Sequence, residues 1–371
     1  HALKRAIELM LATPDFAVTN LAQPSDTPRV AAPRPVSGGR TYKAIIVLFW
    51  DGGADSWNML VPHSGCTPGN VSANYDSYQR LRGGVVEGVA LPFADLLPIN
   101  VQDPSQPCST FGIHPRLTLL QRLYNEGDVA FLTNVGTLVE PMTKAQYLAK
   151  QGQRPPSLFA HNVQQKVTQS MHPQDKVAKG VLGRIIDALN RGGSGGAASY
   201  RTGTYSLDGM KKMLEGERAP VVLDKSGVVS FAHQAELQEA LSGLTLGGNR
   251  SYKSIFGESW ADALQDSLST SQTLGAATSS VSLTTSFPTD TLGKRFEQVA
   301  RVIAARAALQ EERQVFFVPL GGWDTHSSLK DSVDNNFRNM NSALTAFETE
   351  MKAQNAWQNT ILMTVSDFGR T

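Results

Sequence analysis

An α/β domain with a mostly parallel central sheet flanked by helices is what the pattern of this chain predicts. Short continuous apolar runs end in aspartate, amphipathic helices lie between them, and strand and helix alternate. Residues 42–50, YKAIIVLFW, open the domain. The run is too short for a comfortable helix and rich in β-branched and aromatic residues, which is how a strand buried on both faces reads. It ends in Asp51-Gly52-Gly53. RLTLLQRLYNEG reads as an amphipathic helix closing on Gly127, and VAFLTN, residues 129–134, as the strand that follows. Residues 314–320, QVFFVPL, form a further strand ending in Gly321-Gly322-Trp323-Asp324. A long helix over residues 329–354 carries Val333, Phe337, Met340, Leu344 and Phe347 at spacings of three and four. The last strand, residues 360–365, ends in Ser366-Asp367. Right-handed crossovers join such units into one parallel sheet.

Two stretches stand apart from this alternation. Residues 264–290 are dense in Ser and Thr and read as a long surface excursion. At the N-terminus, residues 3–12 have apolar positions at helical spacing, Pro14 ends them, and residues 23–40 form a Pro-, Ser- and Gly-rich linker. The expected organisation is a tail from an upstream domain plus linker over residues 1–40, and the α/β domain over residues 41–371.

With 371 residues, 41% hydrophobic and 18% charged, the chain has ample material for a core. A formal charge of +1 gives no basic field for nucleic acid. The longest apolar run, residues 44–50, is strand-sized and far below the ~20 residues of a membrane helix. Cys66 and Cys108 are the two cysteines, both in loop-like sequence, and suggest one disulfide, with two unrelated thiols as the other reading. Neither has a second Cys or His at ligand spacing, so no metal site is expected from them. Sequons at Asn70 and Asn249 agree with an oxidising compartment, and a secreted or cell-surface protein is expected.

Asp51, Asp324 and Asp367 each follow a strand, where an open parallel sheet binds its ligand. One aspartate at such a place reads first as a turn or helix cap. Three at equivalent strand ends repel one another unless a cation lies between them or their pKa values rise. His326 lies two residues beyond Asp324 in GGWDTHS, so a divalent metal, Zn, Ca or Mg, is favoured with Asp51, Asp324, His326 and Asp367 as ligands. His161 and Asn162 stand at an expected helix start in SLFAHNVQQ, which suits an anion as well as it suits a capped helix. His114 reads as structural. No nucleophile elbow, phosphate-binding loop or CxxC motif is present.

The stretches VLFWDGGADSWNMLVP, FGIHPRLTLLQRLYNEGDVAFLTNVG, LFAHNVQQ, GGWDTHSSL and VSDFGRT, in this order, make residues 42–371 resemble family number 1501 of the domains of unknown function. That family is placed with the alkaline phosphatases and sulfatases. LKRAIELMLATPDF is similar to the closing helix of another such family, number 1800. The resemblance implies an alkaline-phosphatase-like fold, a divalent metal, and hydrolysis of phosphate or sulfate esters with a Ser or Thr at a helix start as nucleophile. The position where relatives carry that serine is Ala160 here; Ser157 and Ser56 lie near enough to be candidates. The superfamily's metal-binding His after the last Asp is Phe368. The family pattern continues past SDFGRT to a further Asp-His motif. The resemblance therefore implies a C-terminally incomplete domain, whose remainder or other chains of an extracellular assembly would be partners. The alternative expectation is a non-catalytic structural or interaction component of such an assembly, using the same fold.

Overall fold

The structure, a computed structural model, describes residues 2–13, 16, 35–67, 74–175, 177–192, 199–229, 231, 233–244 and 254–370. Both sequon asparagines, Asn70 and Asn249, and most of the linker lie outside the described residues. In chain order the elements are α1 (Ala2–Leu11), β1 (Lys43–Trp50), β2 (Leu60–Cys66), α2 (Tyr75–Leu81), β3 (Leu97–Asn100), β4 (Cys108–Ile113), α3 (Thr118–Glu126), α4 (Lys144–Leu148) and α5 (His161–Ser170). There follow α6 (Val181–Arg191), β5 (Thr202–Ser206), β6 (Val221–Asp224), β7 (Gly227–Val228), α7 (Gln238–Leu244) and α8 (Ile255–Ser279). The chain continues through α9 (Thr291–Ala304), α10 (Arg306–Leu309), β8 (Arg313–Leu320), α11 (Leu329–Ala353) and β9 (Thr360–Ser366).

Six strands form one sheet in the order β7-β6-β5-β8-β1-β9. Every pairing is parallel except β6 with β7, as the continuous apolar runs predict. β1 shows why such a run belongs in the centre. Ile46, Leu48 and Trp50 point into the larger core with Phe316 and Val318, while Val47 and Phe49 point to the opposite face with Val315 and Phe317. Leu182 and Ile186 of α6 cover that second face, and α9 and α11 cover the first through Phe296, Val299, Phe337 and Phe347. Each such side chain, fully buried, contributes roughly 1.5–3 kcal/mol. Val333, Phe337, Met340, Leu344 and Phe347 are buried along α11, one stripe of the helix.

A separate three-stranded antiparallel sheet, β2-β4-β3, lies beside the strand ends. Its β2 and β4 pair Cys66 with Cys108, and the two form a disulfide closing 42 residues of chain. The disulfide reading of the two cysteines therefore holds.

Two expectations are corrected. Residues 129–134 do not join the sheet as a strand; they form no ladder beyond β9, which is the last strand on that side among the described residues. Val129 and Phe131 find cover at the rim of the core, Phe131 against Tyr124, while Leu132 turns out to solvent. Burial of two side chains satisfies the apolar pattern without backbone pairing. Residues 264–279 belong to α8 rather than to a surface loop. Ala261, Leu268 and Leu274 give the helix a buried face. Its hydroxyls turn back on the helix: Thr273 and Thr278 donate to the carbonyls of Ser269 and Leu274 at 2.9 and 2.8 Å. Residues 280–290 are held alongside by Glu350, which accepts from the amides of Thr284 and Thr285 at 3.0 and 2.9 Å.

The N-terminal α1 packs on α7 and α8: Leu9 and Ala12 meet Leu237, Leu241 and Leu268, and Arg5 pairs with Glu236. Among the described residues no helix is long and apolar enough to cross a membrane.

Candidate functional site

The parallel register sets the site. Trp50 pairs with Leu320 on one side and with Ser366 on the other, so β1, β8 and β9 end level with one another. Asp51 and Asp367 are the next residues on adjacent strands. Asp324 arrives four residues after the end of β8, and glycine lets it come close. Gly52 has φ +120°, and a Cβ there would stand 2.6 Å from the backbone nitrogen of Asp324. Gly53, at φ +80°, leaves room for the ring of Phe368, which a Cβ would meet at 2.5 Å. The turn after β1 is pinned to the turn after β9 by Ser366, whose hydroxyl accepts from the amide of Ala54 at 2.8 Å and donates to the carbonyl of Phe368 at 3.3 Å.

The fourth wall is α5, which begins at His161 as the sequence predicts. His161 bridges the aspartates: Nδ1 donates to Oδ2 of Asp367 at 2.8 Å, and Nε2 lies 3.4 Å from Oδ1 of Asp324. One helical turn on, Gln165 donates to Asp51 and, at 3.2 Å, to Asp367. His326 and Arg370 approach Asp324 from outside, with Nε2 and Nη1 at 3.0 and 2.7 Å from its Oδ1. The structure thus brings together Asp51, Asp324, His326, Asp367 and His161. The surprise lies with His161, which joins the two sides of the cluster rather than marking a separate anion site.

The serines are less central. Ser157 sits in the left-handed region at φ +47° before α5, where its carbonyl accepts from the amide of Ala160 at 2.9 Å. Ser56 is exposed, near Gly369. Among the described residues neither hydroxyl is hydrogen-bonded to His161. Asn162 is exposed on the first turn of α5. Ala160, the N-cap of α5, offers no side-chain acceptor to that turn, and Phe368 packs its ring 4.8 Å from the imidazole of His161. The sequence placed Gln165 only in a polar cluster with His161 at the helix start, and Arg370 nowhere. Gln165 lies one turn from His161 in HNVQQ, and that four-residue spacing was the available signal. Arg370 carried no signal beyond its place in SDFGR.

The electrostatics divide the aspartates. Burial pushes the Asp367 carboxyl up, and the charge of Asp51 adds to this against the hydrogen bonds from His161 and Gln165. For Asp324, desolvation pushes upward but is outweighed by the hydrogen bond and charge of His326 and by the charges of His161 and Arg370, so it lies below the usual carboxylate range. His114 stays apart from the cluster, buried with its ring against Phe337 at 4.9 Å.

Three carboxylates and two imidazoles suit a divalent ion in kind and number. Oδ1 of Asp367 is buried without a hydrogen-bond partner among the described residues, an acceptor that such an ion would satisfy. As they stand, no three His, Cys, Asp or Glu side chains among the described residues surround one common point. The imidazole of His161 lies between the carboxylates instead.

Residues 42–371 match the family model described as Protein of unknown function (DUF1501). The chain belongs to the DUF1501 family. The match opens one residue before β1 and covers all three strand ends that meet at the site. No curated protein and no solved structure matches the chain.

Proposed function

We propose that this DUF1501 chain is a metal-dependent hydrolase of phosphate or sulfate esters, secreted or held at the cell surface, on a fold related to the alkaline phosphatases and sulfatases. The convergence of three strand-end aspartates on the first two turns of α5, Asp324 and Asp367 at the imidazole of His161 and Asp51 at the amide of Gln165, carries the reading. Asp51, Asp324, Asp367 and His326 would hold a divalent ion, Zn, Ca or Mg, which when bound neutralises the ester's charge and polarises it. His161 gives its Nδ1–H to Asp367, which fixes the ring's orientation and leaves Nε2 as the atom that would take a proton from an attacking water. Asp324, beside Nε2, stabilises the imidazolium that results. The Cys66–Cys108 disulfide supports an oxidising compartment. We read residues 1–40, which precede the family match, as the tail of an upstream domain similar to family 1800 plus a linker, with α1 packed on α7 and α8.

A second reading, a non-catalytic component of an extracellular assembly, draws support from two features. Ala160 stands where a hydroxyl nucleophile would start α5, and Arg370 already pairs with Asp324 at 2.7 Å. Purified protein supplied with Zn²⁺, Mg²⁺, Mn²⁺ or Ca²⁺, assayed on a panel of phosphate and sulfate esters and for bound metal, separates the two. The hydrolase reading expects bound metal and turnover that falls at least about 100-fold in Asp324→Ala. Turnover that survives this substitution refutes the site. Neither metal nor turnover leaves the assembly component as the reading.

A further inference from the structure

Immediately before His161 the chain shapes a cleft of ≈ 730 Å³, lined by Tyr147, Arg154, Pro155, Leu158, Phe159 and Ala160 among others. Its last lining residue, Ala160, is the N-cap of the helix that presents His161 to Asp367. The wall is tied to that helix by Gln164, buried, whose amide donates to the carbonyls of Pro156 and Ser157 at 2.9 and 3.2 Å. Tyr147 stands on α4, held by the capping box of Thr143 and Gln146. The cleft is therefore anchored to the carboxylate cluster at one end.

Its lining has a definite chemistry. Arg154 is its one charged side chain, and among the described residues the guanidinium enters no ion pair; it lies 5.6 Å from the centre of the Tyr147 ring. Phe159 stands at the cleft 76% exposed, an aromatic surface without cover in a concave place. Arg154, exposed at the cleft, is free to meet an anion, and two aromatic rings with Pro155 and Leu158 suit a flat apolar group.

We infer that this cleft is the subsite for the organic portion of an anionic ester, and that it selects phosphate or sulfate esters of aromatic alcohols. Arg154 faces the anionic group, and Tyr147 and Phe159 flank the aromatic ring. The inference rests on the hydrolase reading for the role of the ligand, while the binding itself is independent of turnover.

The test compares 4-nitrophenyl phosphate and 4-nitrophenyl sulfate with ethyl phosphate and ethyl sulfate, by calorimetric titration and by steady-state kinetics with added metal. The unsubstituted protein is expected to bind the aryl esters at least about 10-fold more tightly than the alkyl esters. Phe159→Ala should bring that ratio close to one with little change for the alkyl esters. Arg154→Ala should weaken both classes about 10-fold or more, and Arg154→Lys should restore part of the loss. Where turnover is seen, KM moves and kcat stays. Equal binding of the two classes by the unsubstituted protein, no binding of either, or an aryl preference untouched in Phe159→Ala overturns the inference. Aryl-selective binding without turnover keeps the subsite and removes the hydrolase reading. Turnover that depends on Asp324 but is blind to the alcohol keeps the hydrolase reading and removes the subsite.

Discussion

The two halves of the site are held in different ways. Asp51, Asp367 and, through Gly52, Asp324 are placed by strands whose backbones are paired residue by residue. His161 and the cleft before it come from residues 135–161, where Val135, Leu138, Leu148 and Phe159 are exposed. That half meets the strand ends through a few side-chain contacts, those of His161 and Gln165 with the aspartates and of His161 with the ring of Phe368. The lesson is a division of labour. A ladder of hydrogen bonds fixes where charge sits, and a peripheral segment, able to vary without breaking the core, decides what is presented to it.

Breaking the strand half should cost most. Gly52→Ala puts a Cβ 2.6 Å from the backbone of Asp324 in a left-handed turn. A loss of about 3 kcal/mol or more is expected in denaturant unfolding, together with loss of metal binding. The core behind the strands should also answer to acid. Burial pulls the His114 imidazole down from 6.5 to about 4. The unfolded chain takes up a proton below pH 6.5 that the native chain refuses until about pH 4, so stability falls as pH drops through that window. The fall amounts to about 3 kcal/mol, and unfolding midpoints from pH 7 to 4 should show it, with a flatter profile in His114→Asn.

Smaller effects sharpen the contrast. Burial pushes the Asp367 carboxyl up, so its charge weighs against the folded state above its pKa, and that penalty eases as pH falls through it. Asp367→Asn is expected to unfold within about 1 kcal/mol of the unsubstituted protein, on the more stable side, while ester turnover is lost. A thermal melt and an activity assay on one preparation check both. On the helix half, Phe159→Ala should change stability by no more than about 0.5 kcal/mol, because the ring is exposed.

The same contrast governs what could be read before folding. β1 and β8 were legible because a strand buried on both faces writes an unbroken apolar run; β9 writes a similar run although it lies at the sheet edge with Ile361 and Met363 exposed. The long α11 was legible because its stripe repeats at three and four. VAFLTN writes a run of the same kind, yet rim burial of Val129 and Phe131 suffices for it. α8 stayed hidden because its Ser and Thr residues look like loop composition and only the back-bonded hydroxyls explain their place. Within the site, the three aspartates and His326 were visible from strand ends and short spacing. The bridging position of His161 was not, since it depends on how α5 is laid across the sheet, a long-range fact with no local pattern. Gln165 and Arg370 share that origin.

Asp51 and Asp367 leave neighbouring parallel strands at the same level, directly after the paired Trp50 and Ser366. Their backbones are therefore held apart by the sheet's own repeat, ~4.8 Å. That repeat belongs to peptide groups and not to any side chain, so drift in the surrounding residues leaves it untouched. The sheet works as a gauge: it sets the gap between the two carboxylates, which the Gln165 amide spans, and a helix that came to lend a different side chain from above would change the chemistry without changing the gap.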